Sequence, residues 1–78
     1  MLKYQRIRGL REDRDLKQST VAQYLNIKQN SYSYYEREER NMPIEVFMKL
    51  ALYYSTSVDY LIGLTDEERP YPRAKKRK

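Results

Sequence analysis

Apolar side chains recur every three or four residues along most of the chain, and residues that interrupt helices are few. Glycine occurs only at Gly9 and Gly63, and proline only at Pro43, Pro70 and Pro72. A spacing of three and four brings apolar side chains onto one side of an α-helix. The pattern therefore predicts an all-α fold.

This pattern predicts five helices. Asn26 separates the second from the third, because asparagine tolerates the left-handed conformation that a sharp turn needs. Pro43 suits the first turn of the fourth helix, and Ser57 can cap the fifth, which Gly63 ends. The predicted helices cover about residues 3–14, 18–25, 29–37, 43–54 and 58–62.

Each predicted helix has an apolar face, and these faces form the expected core. Its members are Leu2, Ile7, Leu10, Val21, Ala22, Leu25, Tyr32, Tyr35, Val46, Phe47, Leu50, Ala51, Tyr54, Val58, Leu61 and Ile62. The third helix also has a second face, polar and predicted to be exposed, which carries Gln29, Asn30, Ser33 and Tyr34.

The composition excludes several classes of protein. Seventy-eight residues are enough for one small domain and a tail. The absence of cysteine and histidine excludes disulfides and zinc centres, and the sequence shows neither a glycine-rich phosphate loop nor paired carboxylates in an evident pocket. We therefore expect no enzymatic activity, no cofactor and no small-molecule ligand. Without a long apolar stretch, we expect a cytoplasmic protein that does not enter a membrane.

The net charge of +5 is unevenly distributed. Residues 69–78 hold six basic residues and no acidic one, whereas residues 1–68 hold ten basic and eleven acidic residues. Within that body, residues 1–28 have seven basic and three acidic residues, and residues 36–68 have three and eight. This asymmetry favours a domain with one phosphate-facing side, with ordinary solvated charge as the alternative.

The second and third predicted helices have the features of a helix-turn-helix. They are short, about four residues join them, and Ala22 is small enough to let them cross closely. The segment KQSTVAQYLNIKQNSYSYYEREERNMP, residues 17–43, resembles the lambda-repressor-like Cro/Xre-type transcriptional regulators, and the likeness extends through YYSTSVDYLIGLTD, residues 53–66. The matching positions are Gln18, Ala22, Tyr35-Glu36-Arg37, Pro43 and Asp59-Tyr60-Leu61.

The resemblance, which covers about residues 4–66, implies a compact five-helix DNA-binding domain over residues 1–66. Because the chain beyond it is charged, contains proline and has nothing to bury, we expect residues 67–78 to form a basic, mobile tail. The resemblance also implies a transcriptional repressor or regulator that binds double-stranded operator DNA, with the third helix in the major groove. Gln29 and Asn30 would read bases through their amide groups, with Tyr34 and Ser33 beside them. Residues that would position the protein on phosphates are Gln18, Lys17, Lys28, Ser31, Arg40 and Asn41. Arg11 and Glu36 would form a structural ion pair beneath that surface.

The chain departs from the family pattern at three positions. Glu38 stands where the family usually has glycine, so we expect the third helix to end without a glycine cap. Lys17 and Lys28 stand where serine or threonine usually caps the second and third helices, a loss of about 1 kcal/mol each. Both lysines would lie near phosphates, which favours affinity over stability.

Several alternatives remain open at this level. The chain could be an antitoxin-like or adaptor module that binds another protein and touches DNA weakly. The tail could be an arm on DNA or a solubilising end. We expect a homodimer, because one recognition helix makes few contacts. The apolar patch through which the two copies would meet is predicted on the fifth helix, at Tyr60, Leu61, Ile62 and Leu64.

Overall fold

The structure, a computed structural model, describes residues 4–72. This part of the chain contains five α-helices and no β-strand, which confirms the predicted all-α class. Residues 1–3, with Leu2 and the start of the first predicted helix, lie outside the described residues. The helices are α1 (Gln5–Asp13), α2 (Gln18–Leu25), α3 (Gln29–Glu36), α4 (Ile44–Tyr53) and α5 (Val58–Leu61).

The start of α4 differs from the prediction by one residue. Pro43 has φ −60° and ψ 151°, so it is the extended residue before the helix and not part of the first turn. Proline has no N–H group, and its fixed φ suits extended backbone, so it opens α4 from this position without losing a hydrogen bond. The predicted cap of α5 is confirmed, because the Ser57 hydroxyl accepts a hydrogen bond from the Tyr60 N–H at 3.0 Å.

The core lies where the apolar faces of the five helices meet. Its largest fully buried side chains come one from each helix: Ile7, Val21, Tyr32, Leu50 and Leu61. Burial of a large apolar side chain stabilises a fold by about 1.5–3 kcal/mol. Because each helix contributes one such residue, none of the five can leave the domain without exposing part of the core.

Two core residues lie outside the predicted set. Tyr4, just before α1, packs its ring edge-on against Phe47, with ring centroids 5.3 Å apart. Its hydroxyl accepts a hydrogen bond from the backbone N–H of buried Met42 at 3.1 Å. These contacts join the start of α1 to the loop before α4, and they hold that loop beside the end of α3.

All five described helices end in the same backbone turn. In each, a residue with positive φ follows the helix, and the next N–H donates to a carbonyl five residues back, a Schellman motif. Only Gly63 among these residues is a glycine, whereas the others are Asp15, Asn26, Glu38 and Ser55. Glu38 has φ 60°, so α3 keeps the left-handed ending although the glycine of the family pattern is missing. A non-glycine residue in this conformation costs about 1–2 kcal/mol, less for asparagine and aspartate.

The described part of the predicted tail lies against the helices. The hydroxyl of Thr56 donates a hydrogen bond to the Glu68 carbonyl, and that of Tyr71 donates to the Asp59 carboxylate at 2.8 Å. Residues 66–72 are nevertheless exposed. The remaining five basic residues of the tail, all within 73–78, lie outside the described residues, and so does the prediction about their role.

The prediction of an exposed apolar patch on the fifth helix is wrong. Leu61 is fully buried, and the Tyr60 ring lies beneath the guanidinium group of Arg6, 4.2 Å from its centroid. Arg6 also donates to the Tyr60 carbonyl at 2.9 Å. Leu64 is the large apolar residue there that remains well exposed, at 74%. Because α5 is only one turn long, Arg6 of α1 covers one side of it and the core encloses another.

Between residues 4 and 72, every helix is too short or too polar to cross a membrane.

Candidate nucleic-acid interface

The turn between α2 and α3 fixes the relative position of these two helices. Asn26 has φ 59°, which confirms the left-handed conformation predicted for it. The Ile27 N–H then donates to the Ala22 carbonyl at 3.0 Å. The Ala22 side chain is only 2% exposed, so a larger residue there would push the helices apart. Together these features hold α3 across α2 with its first turn at the surface.

A lysine precedes each of these two helices. Lys17 and Lys28 are exposed and extended, and neither side chain forms a capping hydrogen bond. The first N–H groups of α2 and α3 therefore have no side-chain cap, and a helix N-terminus carries a partial positive charge. Two uncapped helix starts, each beside an ammonium group, suit the oxygens of a phosphate backbone.

The outer face of α3 consists of two short rows of side chains. Gln29 and Ser33 are four residues apart, as are Asn30 and Tyr34, so each pair lies along one line of the helix. Gln29 and Asn30 are exposed, and no residue within 4–72 forms a hydrogen bond with either side chain. Their amide groups are therefore available to a ligand at the first turn of α3.

The side chains in the second turn of this face are less exposed than the sequence predicted, and they contact other residues of the domain. Ser33 and Tyr34 are half-buried, not fully exposed. The Ser33 hydroxyl accepts a hydrogen bond from Arg37 at 2.8 Å. The guanidinium carbons of Arg37 and Arg40 lie 5.2 and 4.6 Å from the centroid of the Tyr34 ring. Tyr34 and Ser33 therefore contact arginine side chains, and Tyr34 lies beside two guanidinium groups.

Arg37 is a surface residue that the sequence analysis did not assign to the interface. It continues the row of Gln29 and Ser33, and Glu39 holds its guanidinium group through two hydrogen bonds of 3.2 Å. Its spacing of four residues from Ser33 was the available signal. Arg40 and Asn41, which the resemblance placed on phosphates, are both exposed just beyond α3.

Gln18 has a different partner from the one its family role implies. Its side-chain amide donates to Glu36 Oε1 at 3.1 Å, which directs it toward the interior and away from solvent. The amide therefore joins the first turn of α2 to the last residue of α3. Ser31, also expected near phosphate, is half-buried in the first turn of α3.

A buried ion pair supports this surface from below. Arg11 Nε lies 2.6 Å from Glu36 Oε2, and Arg11 Nη2 lies 3.0 Å from Glu36 Oε1. The remaining side of the guanidinium donates to the Leu16 carbonyl at 2.8 Å. The carboxylate also accepts the Tyr32 hydroxyl at 2.6 Å. One carboxylate thus connects α1, α2 and α3.

This set of donors determines the charge state of Glu36. Burial alone raises the pKa of a carboxyl group, but the hydrogen bonds from Arg11, Tyr32 and Gln18 outweigh it and lower the pKa of Glu36 below its ordinary 4.5. Burial and the hydrogen bond to Glu36 raise the pKa of Tyr32, so its hydroxyl keeps its proton. The network therefore consists of the charged Arg11–Glu36 pair and two neutral donors, the Tyr32 hydroxyl and the Gln18 amide.

Acid is expected to weaken this network. Because the pKa of Glu36 is lower in the fold than in the unfolded chain, its contribution to stability is complete above pH 4.5 and is lost as the pH falls through the folded value. Denaturant unfolding of the wild type and of Glu36→Gln should show the largest difference in stability near neutral pH. That difference should narrow on acidification below 4.5. Glu12→Gln, at an exposed position, is the control and should track the wild type throughout. A difference for Glu36→Gln that does not change with pH would contradict the assignment.

Comparisons with known proteins agree with this architecture. A family model described as helix-turn-helix matches residues 7–61, from α1 to the end of α5. The chain is 39% identical over 66 residues to the uncharacterized HTH-type transcriptional regulator YobD of Bacillus subtilis, which covers 85% of this chain and 59% of that protein. It is 36% identical over 58 residues to the HTH-type transcriptional regulator ImmR of the same organism, which covers 74% and 46%.

A third relative is the cryptic phage CTXphi transcriptional repressor RstR of Vibrio cholerae, 35% identical over 58 residues, which covers 74% of this chain and 52% of that protein. The chain spans about half the length of these curated relatives. No solved structure matches the chain at a comparable level of significance. Because the matched residues include the whole α2–α3 pair and most of the chain, this protein belongs to the helix-turn-helix family.

Proposed function

We propose that the chain binds operator DNA in a sequence-specific manner as a transcriptional regulator of the repressor type, and that it does so as a homodimer in the cytoplasm. The observation that carries this proposal is the first turn of α3. There, two adjacent exposed amide side chains, Gln29 and Asn30, project from a helix whose opposite face is fixed in the core by Tyr32. Such a helix presents side chains to the major groove without rearrangement of the fold.

Base reading begins with these two amides. The amide of asparagine or glutamine matches the N6 and N7 edge of adenine with one donor and one acceptor. Ser33 and Tyr34 come next along the same face, where the serine hydroxyl keeps a proton to donate although it accepts from Arg37. The operator should therefore contain an adenine opposite the start of α3, with a weaker preference beside it.

Phosphate contacts surround this centre. Lys17 and Lys28 stand at the starts of α2 and α3, and Arg40 and Asn41 stand beyond the end of α3. Gln18 and Ser31 are placed to add backbone N–H groups from the first turns of their helices. Such contacts fix the register of the protein on the duplex and carry no sequence information.

We expect a homodimer because this site is small. One recognition helix contacts few base pairs, and two copies double the specific contacts on half-sites about 34 Å apart. The names of the relatives, which include two transcriptional regulators and a phage repressor, support regulation as the role.

The test is selection of bound fragments from a random pool of double-stranded DNA, followed by a salt titration on the recovered sequence. We expect a two-fold symmetric consensus with adenine in each half. Binding should weaken steeply with salt, by about 10⁴-fold between about 50 and about 200 mM if the dimer neutralises about eight phosphates. Recovery of no consensus, with no dependence on salt, would overturn the proposal and favour an adaptor that binds another protein.

A further inference from the structure

Helix α4 has a second apolar face that the core does not use. Ile44, Met48 and Leu52 are 57%, 55% and 54% exposed, although residues between them, such as Phe47 and Leu50, are buried. A spacing of four places the three exposed residues in one row along the helix, which we call the α4 stripe. Three neighbouring large side chains that are each more than half exposed form the kind of patch that marks an interaction site.

The surface beside the stripe is also apolar. Met48 and Leu52 form one wall of a shallow groove, and Pro70 and Tyr71 form the other. Tyr71 is 59% exposed, and its hydrogen bond to Asp59 at 2.8 Å keeps its ring at the edge of the groove. The patch is thus wider than one helix.

The other edge of the stripe is charged. Glu45 and Lys49 are exposed, lie four residues apart and share this edge. Their charges are opposite. A two-fold axis that relates two antiparallel helices brings the same edge of each helix together, so an edge with one acid and one base along its length is complementary to itself.

We propose that a second copy of the chain covers the α4 stripe, with the two α4 helices antiparallel about a two-fold axis near Met48. Met48 of one copy then meets Met48 of the other, and Ile44 of each copy faces Leu52 of the other. Glu45 of each copy faces Lys49 of the other, which forms two symmetric ion pairs. This arrangement deepens the proposed function, on which it rests, by placing the dimer contact on α4 and not on α5.

The charge pattern also selects against a parallel pairing. A two-fold axis parallel to the helices would bring opposite edges of α4 together, so the edge with Glu45 and Lys49 would not meet its copy and both ion pairs would be lost. A self-complementary surface is what a closed two-fold dimer requires. The absence of an open apolar face on α5, where Leu61 is buried, leaves α4 as the apolar helix face available within residues 4–72.

The first test is the mass of the protein in solution without DNA, measured by sedimentation. We expect the wild type to be a dimer and Met48→Glu to be a monomer with an unchanged circular dichroism spectrum, since residue 48 is exposed. Leu64→Glu is the matched control: Leu64 is 74% exposed beyond α5, and this variant should stay a dimer. A wild type that remains a monomer at all measurable concentrations would overturn the proposal. A Met48→Glu variant that still dimerises, or a Leu64→Glu variant that does not, would do the same.

The second test uses the ion pairs to identify the orientation. Glu45→Lys makes the charged edge all positive, and Lys49→Glu makes it all negative, so each variant alone should dimerise at least about tenfold more weakly than the wild type. An equal mixture of the two variants should recover dimers, because every contact in the mixed pair joins opposite charges. Mixed dimers that are no tighter than either variant alone would overturn the antiparallel arrangement.

Failure of this inference can be distinguished from failure of the proposed function. Met48→Glu should retain the wild-type preference among bases, while its affinity for a site with two half-sites falls by about 100-fold. If dimers form through α4 but no DNA consensus is recovered, the proposed function fails and the interface stands. If a consensus is recovered and Met48→Glu remains a dimer, the interface fails and the proposed function stands.

Discussion

Arg11→Ala is expected to lower the free energy of unfolding by about 3 kcal/mol, because it leaves the Glu36 carboxylate buried without its counter-ion. The Glu36 side chain is 2% exposed and that of Arg11 is 12% exposed, so water cannot replace the lost guanidinium group efficiently. Tyr32 and Gln18 still donate to the carboxylate, but neither carries a charge. In a domain of this size the loss corresponds to a fall of about 15 °C in melting temperature.

A matched control lies on the same helix. Arg8 pairs with Glu12 at 3.1 Å, but these side chains are 65% and 53% exposed. Arg8→Ala should therefore change stability by less than about 0.5 kcal/mol. Thermal unfolding of both variants, followed by circular dichroism, measures the difference. Equal melting temperatures for Arg11→Ala and the wild type would refute the importance of the buried pair.

Gln29→Ala and Asn30→Ala are each expected to reduce affinity for the selected operator by about 10- to 100-fold, since one bidentate contact contributes about 1–3 kcal/mol of base discrimination. Both residues are exposed and have no hydrogen-bond partner within residues 4–72, so neither substitution should change the melting temperature. Each variant should relax the preference at one base position in each half-site. Binding to unrelated DNA should stay the same.

Lys28→Ala is the control for this prediction. Lys28 is the extended residue just before α3, and we propose that it contacts phosphate, so its removal should weaken binding to the operator and to unrelated DNA by similar factors. It should also make the slope of log affinity against log salt concentration shallower, by the amount expected for about one phosphate contact per copy. Titration of the three variants against the operator and against unrelated DNA distinguishes a base-reading role from a phosphate contact. Losses for Gln29→Ala and Asn30→Ala that are equal on the two DNAs would show that these amides do not read bases.

The helices were predictable because local sequence determines them. A helix repeats every 3.6 residues, and the apolar residues of this chain follow that period, so helix positions were predicted to within a few residues. Ser57 and Asn26 act within their own turn of backbone, and both behave as predicted. The positive φ at Glu38 and Ser55 has no such local signal, because neither residue type favours it.

The candidate base-reading residues were also visible in the sequence. Gln29 and Asn30 occupy the first exposed turn of an amphipathic helix, and their exposure follows from the helix period alone. Arg37 was missed, because its contacts with Ser33 and Glu39 depend on how the end of α3 turns into the next loop. The inward direction of the Gln18 amide was missed for a similar reason, since its partner is 18 residues away.

By itself, the sequence determined that residues 4–72 form five helices, the position of each to within a few residues, and which face of α3 is polar, because these properties depend on residues within one or two turns of each other. Only the tertiary structure decided how helices distant in sequence cover one another. It buries Leu61 and leaves Met48 exposed, although both lie on helices with apolar residues at suitable spacing. It also places Arg11, 25 residues from Glu36, where it can lower the pKa of that carboxyl group. Exposure and pKa depend on all neighbours of a side chain, and most of these neighbours are set by packing between helices and not by position along the chain.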